Sequence, residues 1–376
     1  MTPNQQQPGR NSTSKTTARV LIKTEIVVIG AGQAGLSSAY HLQRNGLEPG
    51  SGFVVLDRSE APGGAWQHRW PSLTLSTVNG IHDLPGMSFS EAIEVDDTDV
   101  QARIAVPQYF KKYEEAFDIP VYRPVIVQAV CDRDERFRVE TDGPHFSARG
   151  IISATGTWQS PHLPEYPGKD RFNGRQLHTK EYQTAEEFEG EHVLVVGAGI
   201  SALQLLDEIS QVTKTTWVTR RPPDFREGSF TPEDGRAAVA IVEERVRNGL
   251  PPGSVVSLTG LPVTPRIESM RERGVLNRLP MFSEITESGV RWSDGTEMEV
   301  DTILWCTGFR SSIDHLAPLM LRNDQGGITL GGRLATQVVK NPRIHLVGYG
   351  PSASTIGANR AGGAAAMELL KTLEDL

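Results

Sequence analysis

Two glycine-rich turns of the same kind, Gly30-Ala31-Gly32-Gln33-Ala34-Gly35 and Gly197-Ala198-Gly199-Ile200-Ser201-Ala202, each follow an apolar, β-rich run and open a stretch with helical character. A strand that turns sharply into a helix points unpaired backbone N–H groups and the positive helix end at one spot. Only glycine lets a pyrophosphate come close enough to use them. A lone G-x-G-x-x-G is weak evidence, because tight glycine turns also serve packing. Two copies in matched contexts, the second closing on Ala202 in place of glycine, predict two dinucleotide-binding Rossmann-type domains of the α/β class, each a parallel sheet flanked by helices.

The strand that follows each turn reads the nucleotide. After the first turn a helix is expected from Gln33 to Asn45, ending at Gly46, and then a strand Phe53-Val54-Val55-Leu56 that runs into Asp57 and Arg58. An acid about 20 residues past the last glycine accepts hydrogen bonds from an unphosphorylated ribose, as in FAD. After the second turn a helix is expected from Ser201 to about Gln211, and the strand Thr215–Thr219 ends in Arg220 and Arg221 with no acid. Guanidinium groups there match a 2′-phosphate in charge and fork geometry, which favours NADPH over NADH. Asp57 and Arg220 also read as solvated strand ends.

Composition agrees with an ordinary soluble protein. The chain has 376 residues, 38% of them hydrophobic and 22% charged, enough for two domains. A net charge of −8 without a sustained basic stripe argues against a nucleic-acid partner. No apolar run reaches about 18 residues and no hydrophobic signal core is evident, so neither a membrane partner nor secretion is indicated, and a cytoplasmic location is expected. The only two cysteines, Cys131 and Cys306, are far apart, so no C-x-x-C pair relays electrons, and a thiol-based reductase is disfavoured. Both read as small apolar fillers. His162, His178 and His192 show no ligand-like spacing, so no metal is expected.

Shorter signals lie between and beyond the turns. Gly63-Gly64-Ala65-Trp66 lets backbone approach a planar ligand, with Trp66 as apolar surface, or is a turn beside a core tryptophan. His68 follows and reads either as a group near that ligand or as a loop histidine. Two apolar strands end alike, in Ala154-Thr155-Gly156 and Cys306-Thr307-Gly308, as chain crossings between domains do. Pro161 to Gly168 is stiff and loop-like, as a linker into an inserted domain would be. The expected organisation is a disordered tail over 1–22, an FAD-binding domain over 23–160 and 301–376, and an NADPH-binding domain inserted over 161–300. Residues 221–291 are the least readable, with helical character from Ala237 to Arg247. They are a candidate lid or subunit contact, which would suit a homodimer. Trp292-Ser293-Asp294-Gly295-Thr296 is a hairpin signal.

With these residues in view the chain resembles the class B flavoprotein monooxygenases, and among them the small bacterial flavin-containing monooxygenases. The most specific match is Phe172-x-Gly174-x-x-x-His178-x-x-x-Tyr182, similar to that family's fingerprint ahead of the NADPH turn. Tyr182 followed by Gln183 resembles the heteroatom-oxidising branch rather than the Baeyer-Villiger branch, without excluding ketones. The resemblance covers Glu25 to about Gly350. It implies that NADPH passes hydride to FAD and that O2 then forms a C4a-hydroperoxyflavin, which oxygenates a small-molecule substrate, a sulfide or an amine, under the cover of retained NADP+.

On the resemblance, Asn79 donates a hydrogen bond near the oxygen; on its own residues, Asn79-Gly80 reads as a turn. Without the fingerprint His178 reads as a linker histidine, and with it as a family position of structural character. Tyr349 replaces the acid that disulfide reductases carry after the corresponding glycine, so flavin contact there would be through its hydroxyl or backbone N–H. The alternatives are a flavin-dependent NAD(P)H reductase or oxidase without oxygen insertion, and a redox-sensing protein without turnover.

Overall fold

The computed structural model describes residues 20–376 except 79, 95–98, 229–230, 254–257 and 259. Two parallel sheets organise it. The first runs in the order Leu330–Gly331, Gln337–Val338, Ile344–Leu346, Gly150–Ser153, Ile26–Ile29, Phe53–Leu56, Val121–Tyr122; its last five members are parallel. The second runs Arg278–Pro280, Lys214–Thr219, His192–Val196, Thr302–Trp305, Arg175–His178, all parallel. Strands Ile26–Ile29, Gly150–Ser153 and Thr302–Trp305 are buried along their whole length, as expected where helices and loops cover both faces.

The second sheet is inserted between members of the first, so the two-domain expectation holds. The crossing, however, falls later than expected. The reading above returned the chain to the first domain at Asp301, yet Thr302–Trp305 pairs with both His192–Val196 and Arg175–His178 in the second sheet. A fully buried apolar run looks the same in either sheet, because both faces are covered in each. Likewise Leu21–Lys23, whose first two residues fall in the span assigned to a disordered tail, is a strand parallel to His145–Ala148; residues 1–19 lie outside the described residues.

Both dinucleotide helices begin where the turns predict, at Gln33–Arg44 and Ile200–Ile209. The last helix, Thr355–Glu374, packs on the first across small residues: a Cβ on Gly362 would stand 2.8 Å from Ser37 Oγ and 2.9 Å from the Ser38 nitrogen. That close approach fixes the first turn against the C-terminal segment. The hairpin signal is realised as Gly289–Arg291 paired antiparallel with Glu297–Glu299. Cys131 is half-buried on the strand Val127–Arg133 and Cys306 is buried; both are free. Ala237–Arg247 falls in the helix Pro232–Arg247.

Candidate cofactor cleft

The two turns are built alike, contact for contact. Gly30 has φ +106° and Gly197 φ +137°, where L side chains are rarely found. A Cβ on Gly30 would lie 2.6 Å from the Ala154 carbonyl oxygen, and one on Gly197 2.3 Å from the Cys306 carbonyl oxygen. The first glycine of each turn is therefore required by a neighbouring strand end, the one that leads into Thr-Gly. Gly35 serves packing too, since a Cβ there would sit 1.8 Å from the Gly30 oxygen. The middle glycines differ. Among the described residues nothing lies within 4 Å of a Cβ on Gly32 or Gly199, so these two face open space.

Gly32 and Gly199 are also the N-caps of their helices, and neither helix has a side-chain cap. Helices Pro232–Arg247, Pro265–Glu272 and Thr355–Glu374 are capped by Thr231, Thr264 and Ser354. Glycine at the two N-caps leaves the first N–H groups without a side-chain acceptor, which is the condition for holding a phosphate.

Around the first turn lies a cavity of about 400 Å³, in the size range of cofactor sites, about 300–1,000 Å³. Its wall brings together Gly30, Gly32, Gln33 and Ala34 from the turn, and Asp57 with exposed Arg58 from the next strand. Gly64, Ala65, Trp66 and His68 join them from the twin-glycine loop, and Thr155 and Gly156 from the crossing. A Cβ on Gly64 (φ +52°) would approach the Gly32 Cα to 3.1 Å, so the two glycines form a slot that larger residues would close. Asp57 is buried. Its Oδ2 accepts from the Ala31 N–H at 2.7 Å and its Oδ1 from the Ser59 N–H at 2.7 Å, leaving each oxygen a further lone pair for a hydroxyl donor. The slot, the open N-cap and this acid fit a flavin dinucleotide.

Two expected residues are not part of the wall. Gly35 lies beneath the turn, as described. Tyr349 packs in the apolar cluster with Leu316, Val246 and Leu346, its hydroxyl buried without a hydrogen-bond partner among the described residues, while Gly348 lines the cavity. Gly348 turns the backbone at φ +70°, and Tyr349 continues extended, which sends its side chain away from the cavity. Asn79 lies outside the described residues.

The sequence reading missed walls supplied from far along the chain: Phe110, His315 and the Ser352–Ala358 region at the start of the last helix. It also gave no site role to Trp158 and Phe309, whose rings stack at 5.2 Å, with His68 stacked on Trp158 at 5.7 Å. The Trp directly after Ala154-Thr155-Gly156-Thr157 and the Phe directly after Thr307-Gly308 were the available signals.

On the second domain, Gly197, Gly199, Ile200 and Ser201 are half-buried and Ala202 is in the core. Arg220 and Arg221 are exposed at the strand end and, among the described residues, make no ion pair. Burial lowers the pKa of His162, and the nearby charges of Arg310 and Arg220 lower it further. Arg310 is a cation the sequence reading did not pick out. An open N-cap beside free guanidinium groups fits a phosphorylated dinucleotide.

The two crossings run side by side. His162 N–H donates to Gly308 O at 2.9 Å, Arg310 N–H to Ser160 O at 2.8 Å and Ser312 N–H to Gly156 O at 2.9 Å, and Thr307 Oγ1 donates to His162 O. Thr307 and Gly308 thus sit in the strap between domains. Neither lines the cavity.

Comparison with known proteins bears on the same segments. The family model described as pyridine nucleotide-disulphide oxidoreductase matches residues 27–241. A solved flavin-containing monooxygenase from Stenotrophomonas maltophilia is 35% identical, covering 93% of this chain and 99% of that one, with a TM-score of 0.77. The chain belongs to the flavin-containing monooxygenase family. It is therefore a flavoprotein oxidoreductase of a pyridine-nucleotide family. Among more distant relatives of this monooxygenase, the indole-3-pyruvate monooxygenase YUCCA1 of Oryza sativa subsp. japonica is 28% identical over 76% of this chain and 77% of that one. An uncharacterized oxidoreductase, CzcO-like, of Geobacillus kaustophilus is 25% identical over 76% and 81%. No helix among the described residues is long and apolar enough to cross a membrane, and no cluster of His, Cys, Asp and Glu among them is suited to a metal ion.

Proposed function

We propose that this flavin-containing monooxygenase inserts one atom of O2 into a small soft nucleophile, a sulfide or an amine, and releases the other as water with two electrons from NADPH. The observation that carries the reading is the paired build of the cleft. One open glycine N-cap stands by an acid and the other by arginines, on two domains joined by a double strap.

When bound, FAD supplies the carrier that accepts hydride and activates oxygen. The protein's part is binding, orientation and exclusion of water. The amides of the first turn hold the flavin pyrophosphate, Asp57 accepts from the adenosine ribose, and Gly64 with Trp66 borders the ring system. The turn Gly199–Ala202 holds the NADPH pyrophosphate, with Arg220 and Arg221 at its 2′-phosphate. His68, Trp158 and Phe309 form a stacked aromatic column across the cleft, with His178 edge-on to Phe309 at 4.8 Å. Such a column would keep water out of the cavity.

A thioether supplied to the FAD-loaded protein tests the proposal. NADPH and O2 should disappear together, with one sulfoxide formed per NADPH. If NADPH is oxidised but every electron is recovered as hydrogen peroxide, the protein is an oxidase or reductase. A cytoplasmic location and a homodimeric state belong to this reading, with cell fractionation and light scattering as their tests.

A further inference from the structure

We propose that a second cavity, beside Arg69, receives the carboxylate of an anionic substrate. This rests on the monooxygenase reading and narrows its substrate to a small acid whose oxidisable atom reaches the flavin cavity.

The second cavity has a volume of about 370 Å³ and shares His68, Arg69, Trp158 and Gln159 with the flavin cavity. Three cations face it, Arg69, Arg103 and Lys180; among the described residues the rest of its wall is carboxamide, imidazole and indole, with no carboxylate. Like charges gathered in one small space repel each other, and within a partly desolvated wall each costs free energy unless an anion completes the set.

Arg69 is the clearest case. Its guanidinium carbon lies 5.7 Å from the centroid of Trp66 and 5.1 Å from that of Trp158. The two indoles hold the guanidinium in place. Its Nε is buried and donates to no acceptor among the described residues. Burial lowers its pKa from the ordinary arginine value. Lys180 Nζ donates to Gln159 Oε1 at 3.2 Å and lies 6.0 Å from the Trp158 centroid, so it belongs to the same cluster. Arg103 spends its Nε on Gln101 Oε1 at 2.9 Å. A planar, oriented guanidinium with a lysine nearby recognises a carboxylate by charge and by paired hydrogen bonds. The phosphates of NADPH are served elsewhere in the proposed arrangement, by the second turn and Arg220, which leaves this cluster to the substrate.

Calorimetric titration of the FAD-loaded protein tests this without turnover. The probes are (phenylthio)acetate, its methyl ester and NADP+, titrated into the wild type, Arg69→Met and a Lys180→Met/Arg103→Gln double variant. The acid should bind the wild type about 10-fold or more tightly than the ester, the scale of one charge-assisted hydrogen bond. Both variants should lose that preference and keep their affinity for NADP+ within about 2-fold, well inside one hydrogen bond's worth. If Arg69→Met does not retain flavin, the double variant carries the comparison.

Equal binding of acid and ester by the wild type overturns the proposal. So does a loss of NADP+ affinity parallel to that of the acid, which would assign the cations to dinucleotide phosphate. NADPH-dependent oxygenation of the ester is measured separately. Its absence would count against the monooxygenase reading and leave the binding result to decide this one.

Discussion

His178 Nε2 lies 2.9 Å from the Gly308 carbonyl oxygen, while its Nδ1 accepts from the Lys180 N–H at 3.1 Å. Because Nδ1 accepts, the single ring proton of the neutral imidazole sits on Nε2 and is donated to Gly308. Both ring nitrogens are thus committed to backbone, and the fingerprint histidine ties the entry of the inserted domain to its exit. Replacing it with Ala strands the Lys180 N–H, at about 1–3 kcal/mol for a group left unsatisfied, while Gly308 O keeps the His162 N–H. Urea unfolding should show this loss, and His178→Ala should still bind FAD, because the ring lines neither cavity.

The matched turns predict a split between cofactors. Gly30→Ala forces a Cβ to within 2.6 Å of the Ala154 oxygen and should abolish flavin retention on a desalting column. Gly197→Ala, with 2.3 Å to the Cys306 oxygen, should leave the protein yellow and weaken NADPH binding by an order of magnitude or more, about 1.4 kcal/mol at least. Equal loss of flavin in both would contradict the assignment.

Asp57 accepts one backbone N–H on each carboxylate oxygen. Asp57→Asn replaces one acceptor with an NH2 group that faces an N–H donor. The expected result is roughly 10-fold or weaker FAD binding with the fold kept, since charge-assisted hydrogen bonds are worth about 1.5–3 kcal/mol. Flavin fluorescence on dilution measures it.

Arg220 stands exposed where the 2′-phosphate is proposed to lie. Arg220→Ala should raise KM for NADPH by about 10-fold or more and spare NADH, on the same scale of charge-assisted contacts. Steady-state rates with the two nucleotides decide it, and parallel effects on both would remove Arg220 from the site.

Acid stability should be governed by two buried histidines. Burial pulls His315, which shares a hydrogen bond with Ser153 Oγ, down to about 4, and His345 down to about 3, from an unfolded value of 6.5. As pH falls below 6.5 the unfolded chain takes up these protons first. The stabilisation is therefore full above 6.5 and is lost progressively toward about 4 for His315 and about 3 for His345. Denaturation midpoints should fall over that window, and His345→Leu should flatten the lower part of the profile.

Much of the fold was legible because its signals are local. A strand, a glycine turn and a helix lie within one short segment, and the acid or arginine of the next strand follows directly, so the strand ends that carry Asp57 and Arg220 could be located without knowing the sheets. The strand Thr302–Trp305 was read as a strand but assigned to the wrong domain, since burial on both faces erases the information about its neighbours. Tyr349 was misplaced because a single positive-φ glycine before it decides which way the ring points. Walls such as Phe110, His315 and Ser352 reach the cavity only through tertiary packing, and Arg69 acquires its meaning only once Trp66 and Trp158 close on either side of it.

The most direct test of the account is turnover of a thioether with NADPH under isotopically labelled dioxygen. The account predicts that the label appears in the sulfoxide, with one NADPH consumed for each labelled product. An unlabelled product, or label recovered only as hydrogen peroxide while NADPH is spent, would contradict it.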